Sequence, residues 1–274
     1  MSLADLLKDP AIVPFVPVVT PVAFADAKVF RAVSPNGKNE LRLEVGGKWM
    51  EYSIWRRGKA IVEPTPISLE IDGHWDLHDN GAQPKIVKLV KFGKTTEVSR
   101  GAVLNGVRCT PKVTTRKVDG TLATPLYKKS SVDLAANETR VDFGDWAVRL
   151  HARNDGVAWR FETEFEGEIT VNAESTNIRF PKETELCYTV AGGLMSGWER
   201  PARIGSVESV PAGHPQIVMT PFTATVPGAG LVTVTESDLR DYPGLNFYRR
   251  GNEPDTLRSW QAGVPKELDK GRRR

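Results

Sequence analysis

The chain has 274 residues, enough for one large domain or two modest ones, and is 40% hydrophobic and 26% charged. That balance excludes an intrinsically disordered chain and a membrane-embedded fold. The formal net charge is only +3, and the basic residues are spread along the chain apart from the terminal KGRRR. We therefore predict no nucleic-acid partner and, since no later run is apolar for about 18 residues, no membrane span.

Residues 1–27 have features of a secretory signal and of an extended arm. The segment AIVPFVPVVTPVAFADA is apolar, lacks lysine and arginine, and ends in small residues at Ala23, Ala25 and Ala27, as a cleavage site does. The preceding MSLADLLKD is net acidic, however, and four prolines interrupt any apolar helix. We expect a periplasmic or secreted protein with an atypical signal or, alternatively, a cytoplasmic protein with a proline-rich surface arm.

From residue 28 onward, short runs typical of strands alternate with turn residues. The SPNG turn precedes ELRLEV, in which apolar and charged residues alternate, as in a strand with one buried face. A Gly-Gly pair then leads into KWMEYSIWRR, and Arg57-Gly58 turns the chain into KAIVEP. This segment predicts an antiparallel meander.

The clearest hairpin signal is DWAVRLHARNDGVAWRFETEF, where both arms alternate and Asn-Asp-Gly tolerates a positive φ at the turn. Further hairpins are predicted at Asp119-Gly120 and Glu166-Gly167. The spacing predicts an all-β fold of antiparallel strands in two packed sheets. We expect one domain over residues 28–260, followed by a basic tail at 261–274.

A search for nucleophilic or metal chemistry yields little. No G-x-S-x-G nucleophile elbow is present. His74 and His78 have the spacing of a helical metal pair, but the glycines around them indicate a loop, so a metal site there is the weaker alternative. Cys109 and Cys187 form no C-x-x-C motif, which leaves one disulfide or, more in keeping with such cysteines, two buried thiols.

Carboxylates remain as candidates because glycoside hydrolysis needs only two, held about 5–9 Å apart. Sequence spacing alone does not place such a pair across a substrate, and acids in β-sandwiches commonly lie at strand ends and turns. The candidates for this role are Glu174, Glu199, Glu236, Asp238 and Asp241.

Several segments resemble the N-terminal domain of glycoside hydrolase family 97, a family of bacterial exported α-glucosidases and α-galactosidases. RNDGVAWRF is similar to a hairpin of that domain, and SPNGKNELRLEV and EYSIWRRGKAIVEPTPISLEI resemble its opening strands. AEST followed by IRF matches a later strand, and MTPFTATVPGAGLVTVTESDLRDYPGLNF is the most specific piece. The resemblance runs in the family's order over roughly residues 28–260.

The resemblance implies a large antiparallel two-sheet β-sandwich of the galactose-mutarotase-like super-sandwich type. In the family this sandwich precedes a catalytic (β/α)₈ barrel, which carries the acid and the base or nucleophile. Such a barrel needs about 250 residues, and the sequence stops before the corresponding segment. The resemblance therefore implies no catalytic residues in this chain, and it assigns Glu236, Asp238 and Asp241 to a strand end and turn of the sandwich.

A calcium ion near the substrate is also implied by the resemblance. One of its ligands in the family is a glutamate of the N-terminal domain, which by order and spacing corresponds to Glu199 in SGWERPARI. Calcium takes several oxygen ligands, so Glu199 alone should bind it weakly. An exposed loop glutamate with no ligand role is the alternative, because Trp198 and Pro201 depart from the family's usual pattern.

We expect a carbohydrate-binding or scaffolding module whose partner is an oligosaccharide or polysaccharide. Exposed tryptophans form apolar platforms for sugars, and the candidates in loop-like or terminal stretches are Trp75, Trp198 and Trp260, although each can instead serve as a packing lid. One alternative is the non-catalytic half of a split, calcium-dependent α-glucosidase or α-galactosidase, completed by a separate (β/α)₈ barrel. The other is a structural remnant with no ligand.

Overall fold

The computed structural model describes residues 18–21, 27–46, 49–72, 82–91, 94–105, 111–126, 128–193, 196–213, 216–237, 239 and 242–261, with the backbone alone at 18–21, 72, 82–91 and 94–101. Within these ranges the regular structure is β-strand, apart from one short 3-10 turn at Val207–Ser209.

The first eleven strands are β1 (Val18–Pro21), β2 (Lys28–Val33), β3 (Asn39–Val45), β4 (Met50–Arg56), β5 (Lys59–Asp72), β6 (Ala82–Lys91), β7 (Lys94–Leu104), β8 (Lys112–Val118), β9 (Thr121–Ala123), β10 (Ser131–Asp133) and β11 (Ala136–Asp142). The others are β12 (Trp146–Arg153), β13 (Val157–Thr163), β14 (Thr170–Thr176), β15 (Ile178–Arg179), β16 (Glu185–Tyr188), β17 (Val190–Ala191), β18 (Arg203–Ser206), β19 (Ile217–Val218), β20 (Phe222–Val226), β21 (Gly230–Val234), β22 (Leu245–Arg249) and β23 (Thr256–Gln261).

The named strands pair antiparallel in four sheets. A 12-stranded sheet follows the path β17-β19-β22-β23-β15-β5-β4-β3-β2, with β14 and β7 also pairing with β5, and β6 with β7. A 5-stranded sheet has the order β1-β8-β11-β12-β13, a 4-stranded sheet the order β18-β16-β20-β21, and a 2-stranded ribbon joins β9 and β10. The predicted all-β, antiparallel architecture is confirmed.

The 5-stranded and 4-stranded sheets pack on different parts of the 12-stranded sheet across a shared core. Near β4, the rings of Tyr52 and Trp159 lie 5.3 Å apart and join the large sheet to the 5-stranded sheet. Near β22, the ring of Phe222 lies 5.6 Å from Phe247 and joins it to the 4-stranded sheet. Residues of all three sheets belong to one cluster of buried apolar side chains, as a β-sandwich requires.

Side chains of the 5-stranded sheet close the free edge of the large sheet at β2. The side-chain amide of Asn137 donates to the carbonyl of Val33 at 2.7 Å, and the hydroxyl of Thr139 donates to the carbonyl of Arg31 at 2.8 Å. These bonds satisfy backbone acceptors that would otherwise be left at a sheet edge.

The predicted meander from β2 to β5 and the hairpin between β12 and β13 are confirmed, and two other hairpin predictions are wrong. Arg57 (φ 50°) and Gly58 (φ 77°) form a two-residue hairpin turn between β4 and β5, and Arg153 N–H bonds the Gly156 carbonyl at 2.8 Å between β12 and β13. No hairpin forms at Asp119-Gly120 or Glu166-Gly167, because β8 pairs with β1 and β11 while β14 pairs with β5. A turn dipeptide indicates where the chain reverses, but it does not indicate which strand the following segment pairs with.

Part of the N-terminal segment adds a strand to the fold. β1 pairs with β8, with Val18 opposite Thr115 and Pro21 opposite Lys112.

Cys187 on β16 is an exposed free thiol, which corrects the expectation that it is buried; Cys109 lies outside the described residues. In the part of the chain that the structure describes, no helix is long and apolar enough to cross a membrane.

Candidate functional site

The loop between β17 and β18, described at residues 192–193 and 196–202, exposes two of the predicted site residues. Two hydrogen bonds between residues three apart stabilise the loop. Ser196 Oγ donates to the Gly193 carbonyl at 2.8 Å, and Arg200 Nε donates to the Gly197 carbonyl at 3.0 Å. Between these turns lie Trp198, which is 41% exposed, and the exposed Glu199. The loop therefore exposes an aromatic ring and a carboxylate from two consecutive residues.

A pocket of about 330 Å³ lies at the base of this loop. Two arginines and a glutamine provide hydrogen-bond donors, while a valine and a proline provide an apolar wall. Small-molecule sites combine apolar walls with a few polar groups in this way. The lining residues are Val190, Gly192, Arg200, Pro201, Arg203 and Gln216.

Trp260 anchors the strands beneath the loop. It lies on β23 opposite Asn246 of β22 and packs against Ala191, Ile217 and Met219, so it is only partly exposed. This packing occupies part of the surface that a sugar would need. The third candidate platform, Trp75, lies outside the described residues.

The described residues do not by themselves form a calcium site. Calcium takes six to eight oxygen ligands. Among the residues that the structure describes, no three His, Cys, Asp or Glu side chains are grouped to hold a metal. Glu199 therefore offers one carboxylate, and a complete shell would need oxygens from elsewhere. The predicted pair His74 and His78 lies outside the described residues.

Glu236 and Glu174 form bonds within the fold. Both carboxylate oxygens of Glu236 accept the backbone N–H of Leu245, at 3.0 and 2.9 Å. Glu174 accepts the hydroxyl of Tyr242 at 2.7 Å, and the pKa of Tyr242 is raised, first by burial and then by the negative charge of Glu174. These contacts close the loop after β21. The side chains of Asp238 and Asp241 are outside the described residues.

A second polar cluster covers the outer face of the 5-stranded sheet. Glu138 accepts hydrogen bonds from Arg116 Nε and Arg149 Nη1, and it lies 2.9 Å from His151 Nδ1. Burial raises the pKa of Glu138, but the bonds from His151 and Arg116 outweigh it and bring the pKa down to about 2. The arginines in this cluster are neutralised by neighbouring acids.

A neighbouring carboxylate, Glu162, extends this network across β11, β12 and β13. It accepts from Arg149 Nε at 2.6 Å, from Arg140 Nε at 3.0 Å and from Arg160. Burial raises the pKa of Glu162, but Arg149 and the other arginines outweigh burial and bring the pKa down to about 2. The network forms because residues two apart share one face of each strand.

The roles of Trp198 and Glu199 stay predictions from the sequence, which did not indicate three other features. The pocket residues Arg200 and Arg203 have an R-x-x-R spacing that could have drawn attention to the loop. The contact between Glu174 and Tyr242 and the ion network both depend on strands far apart in sequence, which no local pattern reveals.

The sequence matches the family described as Glycosyl-hydrolase 97 N-terminal over residues 32–265. It is similar to a retaining alpha-galactosidase of Bacteroides thetaiotaomicron, with 26% identity over 253 residues that cover 89% of this chain and 34% of that protein. The chain therefore spans about a third of the length of this curated relative.

Solved structures share the fold. A glycoside hydrolase family 97 enzyme of Pseudoalteromonas sp. strain K8, bound to acarbose, superposes with a TM-score of 0.62 at 19% identity, over 85% of this chain and 32% of that one. A structure of such an enzyme bound to panose gives a TM-score of 0.61 over the same shares. A beta-arabinopyranosidase gives 0.61 at 18% identity, over 84% of this chain and 35% of that one.

Proposed function

The chain belongs to the glycosyl-hydrolase 97 N-terminal family, and from this premise we propose that it is the carbohydrate-binding or scaffolding module of an α-glycosidase of glycoside hydrolase family 97. The observation that carries the proposal is the loop between β17 and β18. It exposes Trp198 and Glu199, and the residues that follow them in sequence, Arg200 and Pro201, line the pocket together with Arg203 and Gln216.

The chemistry of this loop suits an oligosaccharide. The apolar face of a sugar ring packs on an exposed indole, and its hydroxyl groups accept hydrogen bonds from guanidinium and amide N–H groups. A pocket of about 330 Å³ is at the small end of the range for ligand sites, which runs from about 300 to 1,000 Å³. We therefore propose that one or two sugar units bind at the pocket, with Trp198 as the platform.

The test is calorimetric titration of the full chain with panose and with acarbose, the two ligands of the solved relatives. We expect weak binding that Trp198→Ala lowers by at least tenfold, which corresponds to about 1.4 kcal/mol. Trp49→Ala is the matched control, because Trp49 is 39% exposed, close to the 41% of Trp198, but lies between β3 and β4.

Binding that survives Trp198→Ala would reject this tryptophan as the platform. Absence of binding to a wider panel of α-linked oligosaccharides would leave scaffolding as the function, and the sugar-binding part of the proposal would be wrong. Circular dichroism of each variant establishes that the fold is retained.

A second candidate function is that of a split enzyme, in which the module completes the active site of a separate (β/α)₈ barrel. The observation that favours it is Glu199, whose exposed carboxylate has no hydrogen-bond or ion-pair partner among the described residues. In this proposal Glu199 is one ligand of a calcium ion whose other ligands come from the barrel. We expect the chain alone to bind calcium only weakly, in line with one carboxylate.

The DNA downstream of the codon for Arg274 tests this second candidate first, because a barrel in an adjacent frame would supply the partner. Mixing that barrel with the module should produce activity on aryl α-glucosides or α-galactosides that Glu199→Gln reduces and added calcium does not restore. Equal activity of the wild type and the variant would reject the role of Glu199.

Export to the periplasm or outside the cell is also our proposal, on the basis of the signal-like residues 1–27. N-terminal sequencing of the protein recovered from fractionated cells tests it. A mature chain that begins just after Ala23, Ala25 or Ala27 in the periplasmic fraction is expected. This cleavage would remove β1, so that β8 would then pair with β11 alone. An unprocessed chain in the cytoplasmic fraction would favour the surface-arm alternative.

A further inference from the structure

Strand β21, Gly230–Val234, lies at the edge of the 4-stranded sheet. Within the described part of the chain it pairs only with β20, in continuous register from Val226 opposite Gly230 to Phe222 opposite Val234. Leu231 is 75% exposed, while Val232 and Val234 pack partly against the core. One side of this strand therefore carries backbone groups that no described strand satisfies.

The other described edge strands have features that discourage pairing. Strands β9, β10 and β17 have only two or three residues, and β1 has four and ends at Pro21. Strand β6 carries three lysines, and β14 carries Glu174. Asn137 and Thr139 bond the edge carbonyls of β2, and β13 carries Arg160 and Glu162. β18 is only four residues long and begins with Arg203. Charges, short length and covered backbone groups are the means by which native proteins protect sheet edges.

β21 has none of these features. Residues 226–235, VPGAGLVTVT, contain no charged side chain, and the proline of this stretch precedes the strand. Four of the five strand residues are β-branched or leucine, which favours extended pairing. The strand is thus the described edge best suited to pairing with another strand.

We propose that β21 pairs with β21 of a second copy of this chain, antiparallel about a two-fold axis. With Val232 opposite its own equivalent, Leu231 faces Thr233 of the second copy, and the two faces of the sheet are preserved. The contact brings together no like charges, and the net charge of +3 adds little long-range repulsion. The two 4-stranded sheets become one continuous sheet.

The dimer is expected to be weak. One pair of five-residue strands buries less than the roughly 1,200 Å² of a standard stable interface. We therefore expect association at micromolar to millimolar concentrations, with a dissociation constant on the order of 10⁻⁵ to 10⁻³ M.

Sedimentation equilibrium of the full chain across that concentration range tests the proposal. The wild type should shift from monomer to dimer, and Thr233→Lys should weaken association at least tenfold by placing two lysines at the new contact. Thr225→Lys is the control, because Thr225 is exposed on the same face but lies on β20, behind the edge. Its effect should be less than about twofold.

Hydrogen exchange locates the contact independently. Backbone amides of residues 230–234 should exchange more slowly at high than at low protein concentration, while those of β13 stay unchanged. A monomer throughout the range, equal effects of the two lysine variants, or protection confined to another strand would overturn the proposal. Far-ultraviolet circular dichroism of both variants confirms that they remain folded.

Discussion

The carboxylate of Glu236 shows how a candidate catalytic acid can have a structural role. Its two oxygens accept the backbone N–H of Leu245, nine positions later in the sequence, at 3.0 and 2.9 Å. The bond fixes the start of β22, which brings Phe247 into the core. A carboxylate that accepts a backbone N–H in this way stabilises the loop as a cap would.

Replacing Glu236 with alanine should lower the free energy of unfolding by about 1–2 kcal/mol, because the Leu245 N–H loses its charged acceptor. Urea unfolding followed by tryptophan fluorescence measures the change. Glu185→Ala is the control, since Glu185 is exposed on β16, and it should change stability by less than about 0.5 kcal/mol. Equal effects of the two variants would contradict this role.

At the scale of elements, the motifs that identify the family meet in space and hold the fold together. Asn39, which follows the SPNG turn, is 5% exposed and donates to the carbonyls of Arg153 and Asn154, both at 3.0 Å. The turn before β3 is thereby joined to the turn between β12 and β13. In the same way Tyr242 of the DYPG segment donates to Glu174 of the AEST strand.

We expect Asn39→Ala to destabilise the protein by about 1–3 kcal/mol, because two carbonyls at the joint lose their donor. Thermal unfolding by calorimetry measures the effect. The comparison variant is Asn172→Ala, in which an exposed asparagine of β14 is removed. If the two variants unfold at the same temperature, the joint between the turns contributes nothing measurable.

The ion network on the 5-stranded sheet predicts a pH dependence of stability. The pKa values of Glu138 and Glu162 are about 2 in the folded protein, below the ordinary 4.5, because contacts with His151 and the arginines for Glu138, and with the arginines for Glu162, outweigh burial. A carboxyl whose pKa is lower in the folded state stabilises it above the ordinary pKa and loses that contribution as the pH falls through the folded value.

The melting temperature should therefore fall steadily between about pH 4.5 and pH 2, and Glu162→Gln should make this slope shallower. Differential scanning calorimetry across that range is the measurement. Glu185→Gln, which changes an exposed acid outside the network, should leave the slope as in the wild type. A Glu162→Gln slope as steep as that of the wild type would show that the network does not stabilise the fold.

Local sequence patterns were sufficient for strands and faces but not for pairing. The alternation in DWAVRLHAR correctly predicted that Trp146, Val148 and Leu150 are buried, each at 0% exposure. The Asp119-Gly120 turn did not predict that β8 pairs with β11 rather than with β9, because pairing depends on which strands share the core. Predicting the ion network would have required the register of four strands. Predicting the pocket at the loop would have required knowing that β19 lies beside β17.

At the scale of the whole molecule, the outer faces of the 5-stranded and 4-stranded sheets differ in how many charged side chains they carry. The 5-stranded sheet carries arginines and acids that neutralise one another. The row from Ile204 through Cys187 and Thr223 to Thr233 on the 4-stranded sheet is uncharged. The loop with Trp198 and Glu199 leads directly into β18 of this second sheet. We therefore expect contacts with other molecules on that side.

We propose that this chain is a module without catalysis of its own, in which Glu236 holds the loop after β21. The most direct test is hydrolysis of 4-nitrophenyl α-galactoside and α-glucoside by the purified chain alone, with and without calcium. We predict no release of nitrophenol above that of the heat-unfolded chain. Turnover that disappears in a folded Glu236→Gln or Asp241→Asn variant would contradict the account.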